Sequence, residues 1–260
     1  AYAVMFSALY APLLILLFCL IFRAVAFEFR SKGDTCTWIF SWDVCMSLGS
    51  FLPTLLLGVA FANLFMGIPI DADGVYHGSL LKLLSPYGLA GGVLFVLMFC
   101  YHGALWLELK AEDALQAKAV KAARILWPLL LAMVLLFLAL SSPYTDIFTR
   151  TAEHPAAYMA LVTAVLGLFG SRLSMESSTL AAWIGSALFI LGLTFFGVFG
   201  MYPGIILSSM DPAYSMTVFN SASSAMTLKI MLTVVLCAVP VVILYQAWVY
   251  YTFAHKVTRE

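Results

Sequence analysis

Charged residues are scarce in this sequence. Asp, Glu, Lys and Arg make up 10% of its 260 residues, whereas 63% are hydrophobic and the mean hydropathy is +1.02. Soluble globular domains carry roughly a quarter charged residues. The 13 basic and 13 acidic residues also balance, so no net charge attracts nucleic acid. The composition excludes a soluble domain and nucleic acid as a partner, and it predicts an integral membrane protein.

Metal-binding and haem-attachment motifs are also lacking. The five cysteines form no C-x-x-C or C-x-x-C-H pattern. Asp71, Asp73 and His77 share one polar segment but lack ligand spacing, which favours a solvated loop. His102 is the only histidine inside an apolar run. It is either a haem ligand or a hydrogen-bonded residue between helices, and the lack of a second axial partner favours the latter. We therefore predict no metal site in this chain.

Long hydrophobic runs are what the sequence has in abundance. A hydrocarbon core of roughly 30 Å requires about 20 helical residues, and seven runs approach or exceed that length. They lie near 2–22, 44–66, 88–109, 125–146, 156–171, 179–200 and 228–252. Backbone groups in lipid must be hydrogen-bonded within the segment, and no period-two alternation indicates a barrel. We predict a single all-α domain over 1–260, a bundle of about seven transmembrane helices.

The basic residues divide unequally between the two sides of such a bundle. With seven crossings, ten of the 13 fall on one side, and Lys82, Arg150 and Lys229 fall on the other. The ten are Arg23, Arg30, Lys32, Lys110, Lys118, Lys121, Arg124, Arg172, Lys256 and Arg259. Basic loops face the cytoplasm. We therefore expect the C-terminus to be cytoplasmic and the loops 67–87, 147–155 and 201–227 to face outward.

Two further features bear on the cytoplasmic side. Arg23, Glu28, Arg30 and Lys32 end the first run; they are either snorkelling anchors or, through Glu28, the mouth of a proton path. Residues 107–124 place acids before bases, which predicts that the third helix continues along the cytoplasmic face. Asn63, near the outer end of the second run, is a candidate for a hydrogen bond between helices.

Three stretches resemble one known family. FRAVAFEFRSK at 22–32 is similar to F-R-x-x-x-F-[DE]-[FY]-R-S-K, and GVAFANLFMGIP at 58–69 is similar to G-V-A-F-x-N-L-x-x-G-[IV]-P. At 199–251, a serine-rich loop containing Pro212 leads into T-L-x-I-M and then Pro240. All three resemble subunit II of the cytochrome bd family of quinol oxidases.

The resemblance implies a non-haem-binding subunit of a heterodimeric quinol:oxygen oxidoreductase in the bacterial inner membrane. It implies that haems b and d and the quinol site belong to a partner, subunit I, and that this chain binds no cofactor alone except a candidate structural quinone. Further implied partners are a small accessory subunit, lipid and quinone. Glu28 becomes a proton-path candidate, and Arg23 and Arg30 become quinone or lipid headgroup candidates.

The resemblance also implies that this sequence covers only part of the family's subunit II. The family's subunit II usually has nine helices, so we expect this sequence to lack an N-terminal two-helix portion. Two alternatives stay open: a small-solute or ion transporter, and a scaffold or receptor-like bundle. The runs contain no centrally placed charge and no matched pair of interrupted helices, which disfavours a transporter.

Overall fold

The computed structural model describes residues 1–152 and 154–256. Within these ranges the helices are α1 (Tyr2–Ala8), α2 (Tyr10–Phe29), α3 (Cys36–Met66), α4 (Leu80–Leu83), α5 (Pro86–Lys110), α6 (Asp113–Tyr144), α7 (Ile147–Ala152), α8 (Pro155–Ser174), α9 (Thr179–Met201) and α10 (Ala225–Thr252). Short 3₁₀ turns cover Arg30–Lys32 and Pro212–Tyr214. Two short antiparallel strands, β1 (Gly204–Ile206) and β2 (Met216–Thr217), lie in the last loop.

Seven of these helices are long and apolar enough to cross a membrane, which confirms the predicted all-α membrane fold. They are α2 with the turn that follows it, α3, α5, α6, α8, α9 and α10. The fifth span, predicted as the short run 156–171, is a full 20-residue helix. Its C-terminal extension includes Arg172, whose long side chain can reach the interface.

Three local predictions differ from the structure. The first run is split at Leu9 into α1 and α2. The second helix begins at Cys36 rather than near residue 44, and at its start the Thr35 hydroxyl accepts the Trp38 N–H at 3.3 Å. The prediction that the third helix continues through 107–124 is wrong. The chain turns between Lys110 and Asp113, and α6 then runs back antiparallel to α5.

Packing follows chain order around a central helix. α2 packs on α3, α3 on α5, and α5 on α6, while α8 and α9 form a close pair that contacts α5, α6 and α7. Gly58 shows how closely α3 and α5 approach, since a Cβ there would lie 2.7 Å from the Gly92 Cα. Small residues allow such contact between membrane helices, where apolar side chains gain little from leaving lipid.

The last helix, α10, stands apart from this bundle. None of its residues is buried. Its ties lie at one end, where the Lys110 ammonium donates to the carbonyls of Phe253 (2.8 Å) and Ala254 (3.0 Å). The Tyr250 ring meets the Trp106 ring edge-on at 5.9 Å. α10 is therefore anchored by its C-terminal turn and is otherwise uncovered by the described chain.

The bundle has two chemically different ends. We call "basic end" the one holding the α2–α3, α5–α6 and α8–α9 connections and the end of α10; there Arg124 and Glu176 lie 3.6 Å apart. At the other end, the Ile68 N–H donates to the Leu207 carbonyl, which joins two loops. Of the basic residues predicted to share one side, Arg259 lies outside the described residues.

Candidate functional site

The patch predicted at the end of α2 is exposed and internally paired. The Lys32 ammonium lies 3.1 Å from Glu28 Oε1, and both side chains are mostly exposed. Arg30 donates to Asp43 on α3 through Nε (2.5 Å) and Nη2 (3.3 Å). Because this fork joins α2 to α3, Arg30 and Asp43 hold the first two long helices together at the basic end.

Aromatic rings cover the other side of the same connection. The Trp38 indole N–H donates to the Phe29 carbonyl at 2.9 Å. The Trp42 ring lies 5.5 Å from the Phe29 ring and 5.6 Å from the Trp38 ring. This arrangement fits an interfacial belt that fixes the depth of the helices.

Arg23 lies on α2, ahead of this patch in the chain. Its guanidinium carbon lies 5.9 Å from the centre of the Phe27 ring, and the residue is exposed. No carboxylate lies within salt-bridge distance of it in the described ranges. Arg23 is therefore available to an anionic or polar headgroup, whereas Arg30 is occupied by Asp43.

Asn63 lies far from these residues, near the opposite end of α3. It is buried, and its amide Nδ2 donates to the Val59 carbonyl at 2.8 Å and the Leu83 carbonyl at 2.7 Å. The second bond joins α3 to the short helix α4. The structure thus places Asn63 as a hydrogen-bonded link between the long helix α3 and the short helix α4.

The α5–α9 interface carries polar contacts at two depths. Near the basic end, the Thr179 hydroxyl donates to Glu108 Oε1 at 3.4 Å. Deeper in, His102 Nδ1 lies 2.7 Å from the Ser186 hydroxyl. Trp183 lies between them along α9, and its ring stacks on the His102 ring at 5.4 Å. We call these five residues the α5–α9 polar line.

Ser186 fixes how the His102 imidazole is protonated. The Ser186 hydroxyl proton is directed to the Trp183 carbonyl at 2.7 Å. Its oxygen must then accept from His102, so Nδ1 carries the ring hydrogen. Nε2 consequently presents a lone pair, and the ring borders an open cleft of about 360 Å³ lined otherwise by α9.

Sequence reasoning missed Glu108 as a site residue. It is 5% exposed, and its Oε2 atom is buried without a hydrogen-bond partner among the described residues. A signal was available, because Tyr101, Ala104, Leu105 and Glu108 follow the spacing of one helix face and all four are buried. Thr179, its partner, is 71 residues away in sequence, which no local pattern reveals.

A second, apolar cavity lies among α3, α5, α6 and α9. It is a partly open cavity of about 220 Å³. Six phenylalanines contribute to its wall: Phe61, Phe65, Phe95, Phe99, Phe137 and Phe196. Such a cavity suits a hydrocarbon or isoprenoid chain.

The loop predicted at 67–87 satisfies its own polar groups. His77 Nε2 lies 2.7 Å from Asp71 Oδ2, and Asp71 Oδ1 accepts the N–H groups of Asp73 and Val75. These bonds, led by that from His77, hold the pKa of the Asp71 carboxyl below its usual value. The pairing supports the interpretation of a solvated loop.

The donor set does not fit a haem or another metal centre. In the ranges 1–152 and 154–256, no three His, Cys, Asp or Glu side chains come together to hold a metal ion. Within the seven described spans, His102 is the one imidazole, and the cleft beside it offers neither a second imidazole nor a thioether. Haem chemistry is therefore not assigned to this chain.

The sequence of this chain matches one known protein family. Residues 1–253 match the family model described as cytochrome bd terminal oxidase subunit II. The chain belongs to this family. It is 35% identical over 261 residues to the cytochrome bd ubiquinol oxidase subunit 2 of Bacillus subtilis (strain 168), covering 100% of this chain and 76% of that protein.

Two further relatives carry similar names. A probable cytochrome oxidase subunit 2 of Haemophilus influenzae is 33% identical over 280 residues, covering 96% of this chain and 74% of its own. The cytochrome bd-I ubiquinol oxidase subunit 2 of Escherichia coli K12 is 29% identical over 295 residues, covering 100% and 77%.

The match confirms the resemblance carried by the three motifs. A cytochrome bd subunit II is one subunit of a terminal oxidase complex, and its membership implies a complex with a subunit I. Together with seven membrane-crossing helices, it makes this chain a multi-pass inner-membrane protein.

Proposed function

We propose that this chain is the non-haem-binding subunit of a quinol:oxygen oxidoreductase. It supports a haem-bearing subunit I while quinol is oxidised and oxygen is reduced to water. The observation that carries this proposal is the family match over residues 1–253. The described residues offer no group of three His, Cys, Asp or Glu side chains for a metal, and on this proposal haems b and d belong to subunit I.

The proposed contact with subunit I is through membrane-buried faces. α10 gives the clearest support, since none of its residues is covered by the described chain although it is strongly apolar. On this proposal residues 1–260 act as one transmembrane domain. The basic end faces the cytoplasm, and with it the C-terminus. A small accessory subunit would share the remaining lipid-facing surface.

Quinone and lipid are proposed ligands at two places. Arg23 offers a guanidinium at the surface without a carboxylate partner in the described ranges, which suits a lipid phosphate or a quinone carbonyl, whereas Arg30 has its donors on Asp43. The phenylalanine-lined cavity has the apolar wall that would suit part of the tail of a structural quinone. Solvent extraction of the purified complex, followed by mass spectrometry, tests whether quinone is retained.

Glu28 is proposed as a cytoplasmic proton collector. Its exposed carboxylate, paired with Lys32, can exchange protons with water at the mouth of the bundle. Glu28→Gln should slow steady-state oxygen consumption modestly and leave the haem spectrum intact, because exposed carboxylates nearby can substitute for it. Unchanged turnover in the variant would reject this role.

Copurification tests the proposed function as a whole. The complex is isolated through an affinity tag on this chain, and its optical spectrum is recorded before and after reduction. We expect haem b and haem d bands to arise from a second polypeptide. A haem-free preparation that takes up solutes in vesicles would instead support the transporter alternative.

A further inference from the structure

The α5–α9 polar line contains two buried polar atoms without partners. Glu108 Oε2 and Trp183 Nε1 are both enclosed, and neither forms a hydrogen bond within the described part of the chain. Leaving a buried donor or acceptor unpaired costs about 1 to 3 kcal/mol, so native proteins satisfy such atoms with a proton, a water molecule or a ligand. Two of them on one interface require a functional explanation.

The order of the groups along the helices is continuous. Glu108 and Thr179 meet near the basic end, and His102 and Ser186 meet deeper in the bundle. Six residues of helical rise separate Glu108 from His102, about 9 Å. Trp183 lies between Thr179 and Ser186 on α9, and its ring stacks on the His102 ring.

The charges around Glu108 leave it weakly paired. Arg124, at the start of α6, is the cation whose field reaches Glu108, but its guanidinium lies 3.6 Å from Glu176. The Thr179 hydroxyl is a long, neutral donor. An ionisable residue buried at the edge of a membrane without an ion-pair partner typically belongs to an ion or proton pathway.

We propose that Glu108 and His102 are the entry and inner end of a proton-transfer route along the α5–α9 polar line. The inference rests on the proposed function, because the reduction of oxygen to water in subunit I consumes the protons delivered. Nothing in the family match assigns a role to either residue.

The proton moves in three steps. The Glu108 carboxyl gives its proton, through water hydrogen-bonded to the Trp183 N–H, to the Nε2 lone pair of His102. The imidazolium then gives its Nε2 proton to water in the adjoining cleft, which carries it toward subunit I, while Nδ1 keeps its hydrogen on the Ser186 oxygen. Glu108 then takes a proton from cytoplasmic water. One proton has then moved from cytoplasmic water to the cleft, and Glu108 and His102 have both returned to their starting protonation states.

The test compares Glu108→Gln with Glu112→Gln in the intact complex. Glu112 follows Glu108 by four residues and forms no side-chain hydrogen bond or ion pair with the described residues, which makes it a matched control. The fully reduced complex is mixed with oxygen; haem absorbance reports electron transfer and a soluble dye reports proton uptake. Infrared difference spectra report the protonated carboxyl group.

We expect Glu108→Gln to slow proton uptake and turnover about tenfold or more, since a positioned proton-transfer group contributes roughly a hundredfold or more to a dependent step. It should also remove one protonated-carboxyl band and retain the haem spectrum. Glu108→Asp should recover part of the rate. Glu112→Gln should behave like the unmodified complex.

Trp183→Phe provides a second test that does not alter a charge. It deletes the indole N–H but keeps a ring against His102 and Trp106. If the line were only structural, removing an unpaired donor would be harmless; on our proposal, proton uptake slows while haem content is unchanged. Normal proton uptake in both Glu108→Gln and Trp183→Phe overturns the route. An unmodified complex without haem or oxygen consumption would instead contradict the proposed function.

Discussion

Two helices of this chain, α9 and α10, are both long and apolar enough to cross a membrane, yet they have different surroundings. α9 buries eight residues in a continuous stripe, whereas α10 buries none. Four of the eight are glycines: Gly185, Gly192, Gly197 and Gly200. α10 contains no glycine. The comparison shows that hydropathy decides whether a helix crosses the membrane, while small residues decide whether it packs within its own subunit.

The largest effect should come from blocking the face of α8 that receives α9. Gly167→Leu would place a Cβ 2.7 Å from the Gly185 carbonyl oxygen, so the two helices must separate, at a cost of about 3 kcal/mol or more. Gly170, on the same helix, has nothing within 4 Å of the position that a Cβ would take, and it gives the control Gly170→Leu. Thermal unfolding in detergent measures both; equal stability of the two variants would contradict the packing.

A smaller effect is expected from the polar tie between α9 and α5. Ser186→Ala leaves His102 Nδ1 without its acceptor, which should destabilise the subunit by about 1 to 2 kcal/mol. Thr163→Ala on α8 is the control, because the Thr163 hydroxyl bonds only to the Met159 carbonyl of its own helix. The unfolding temperature should fall for Ser186→Ala and not for Thr163→Ala. An unchanged unfolding temperature for Ser186→Ala would show that this hydrogen bond does not stabilise the contact between α9 and α5.

The smallest effect should be at α10. Lys110→Met removes both donors to the end of this helix, so limited proteolysis beyond Tyr251 should accelerate without a change in the unfolding temperature of the bundle. Lys118→Met, an exposed lysine on α6, is the control. A large loss of stability would show that α10 is integrated with the bundle after all.

The membrane fold was predictable because each membrane-spanning helix is formed by one run of consecutive apolar residues. Seven apolar runs became seven helices, and even the short run ending near Gly170 became the full-length helix α8. The turn after Lys110 was not predictable in this way. Residues 107–124 favour a helix throughout, and no proline or glycine marks the break at Ala111 and Glu112.

Candidate site residues were harder to identify, because their surroundings come from distant parts of the chain. Glu28 was predicted as a proton-path candidate in a segment with several charged residues, and in the structure it is exposed beside Lys32. Glu108 lies near a helix end, where a carboxylate usually meets water. Its burial depends on α9, and Thr179 could be matched to it only once the two helices were placed together.

Oxygen consumption driven by quinol tests the central claim most directly. The complex isolated through a tag on this chain is supplied with quinol in excess, and the oxygen and quinol consumed are measured together. We predict that two quinols are oxidised for each oxygen molecule, as reduction to water requires, and that this chain separated from its partner is inactive. Haem binding or oxidase activity in the separated chain, or no oxygen consumption by the complex, would contradict the account.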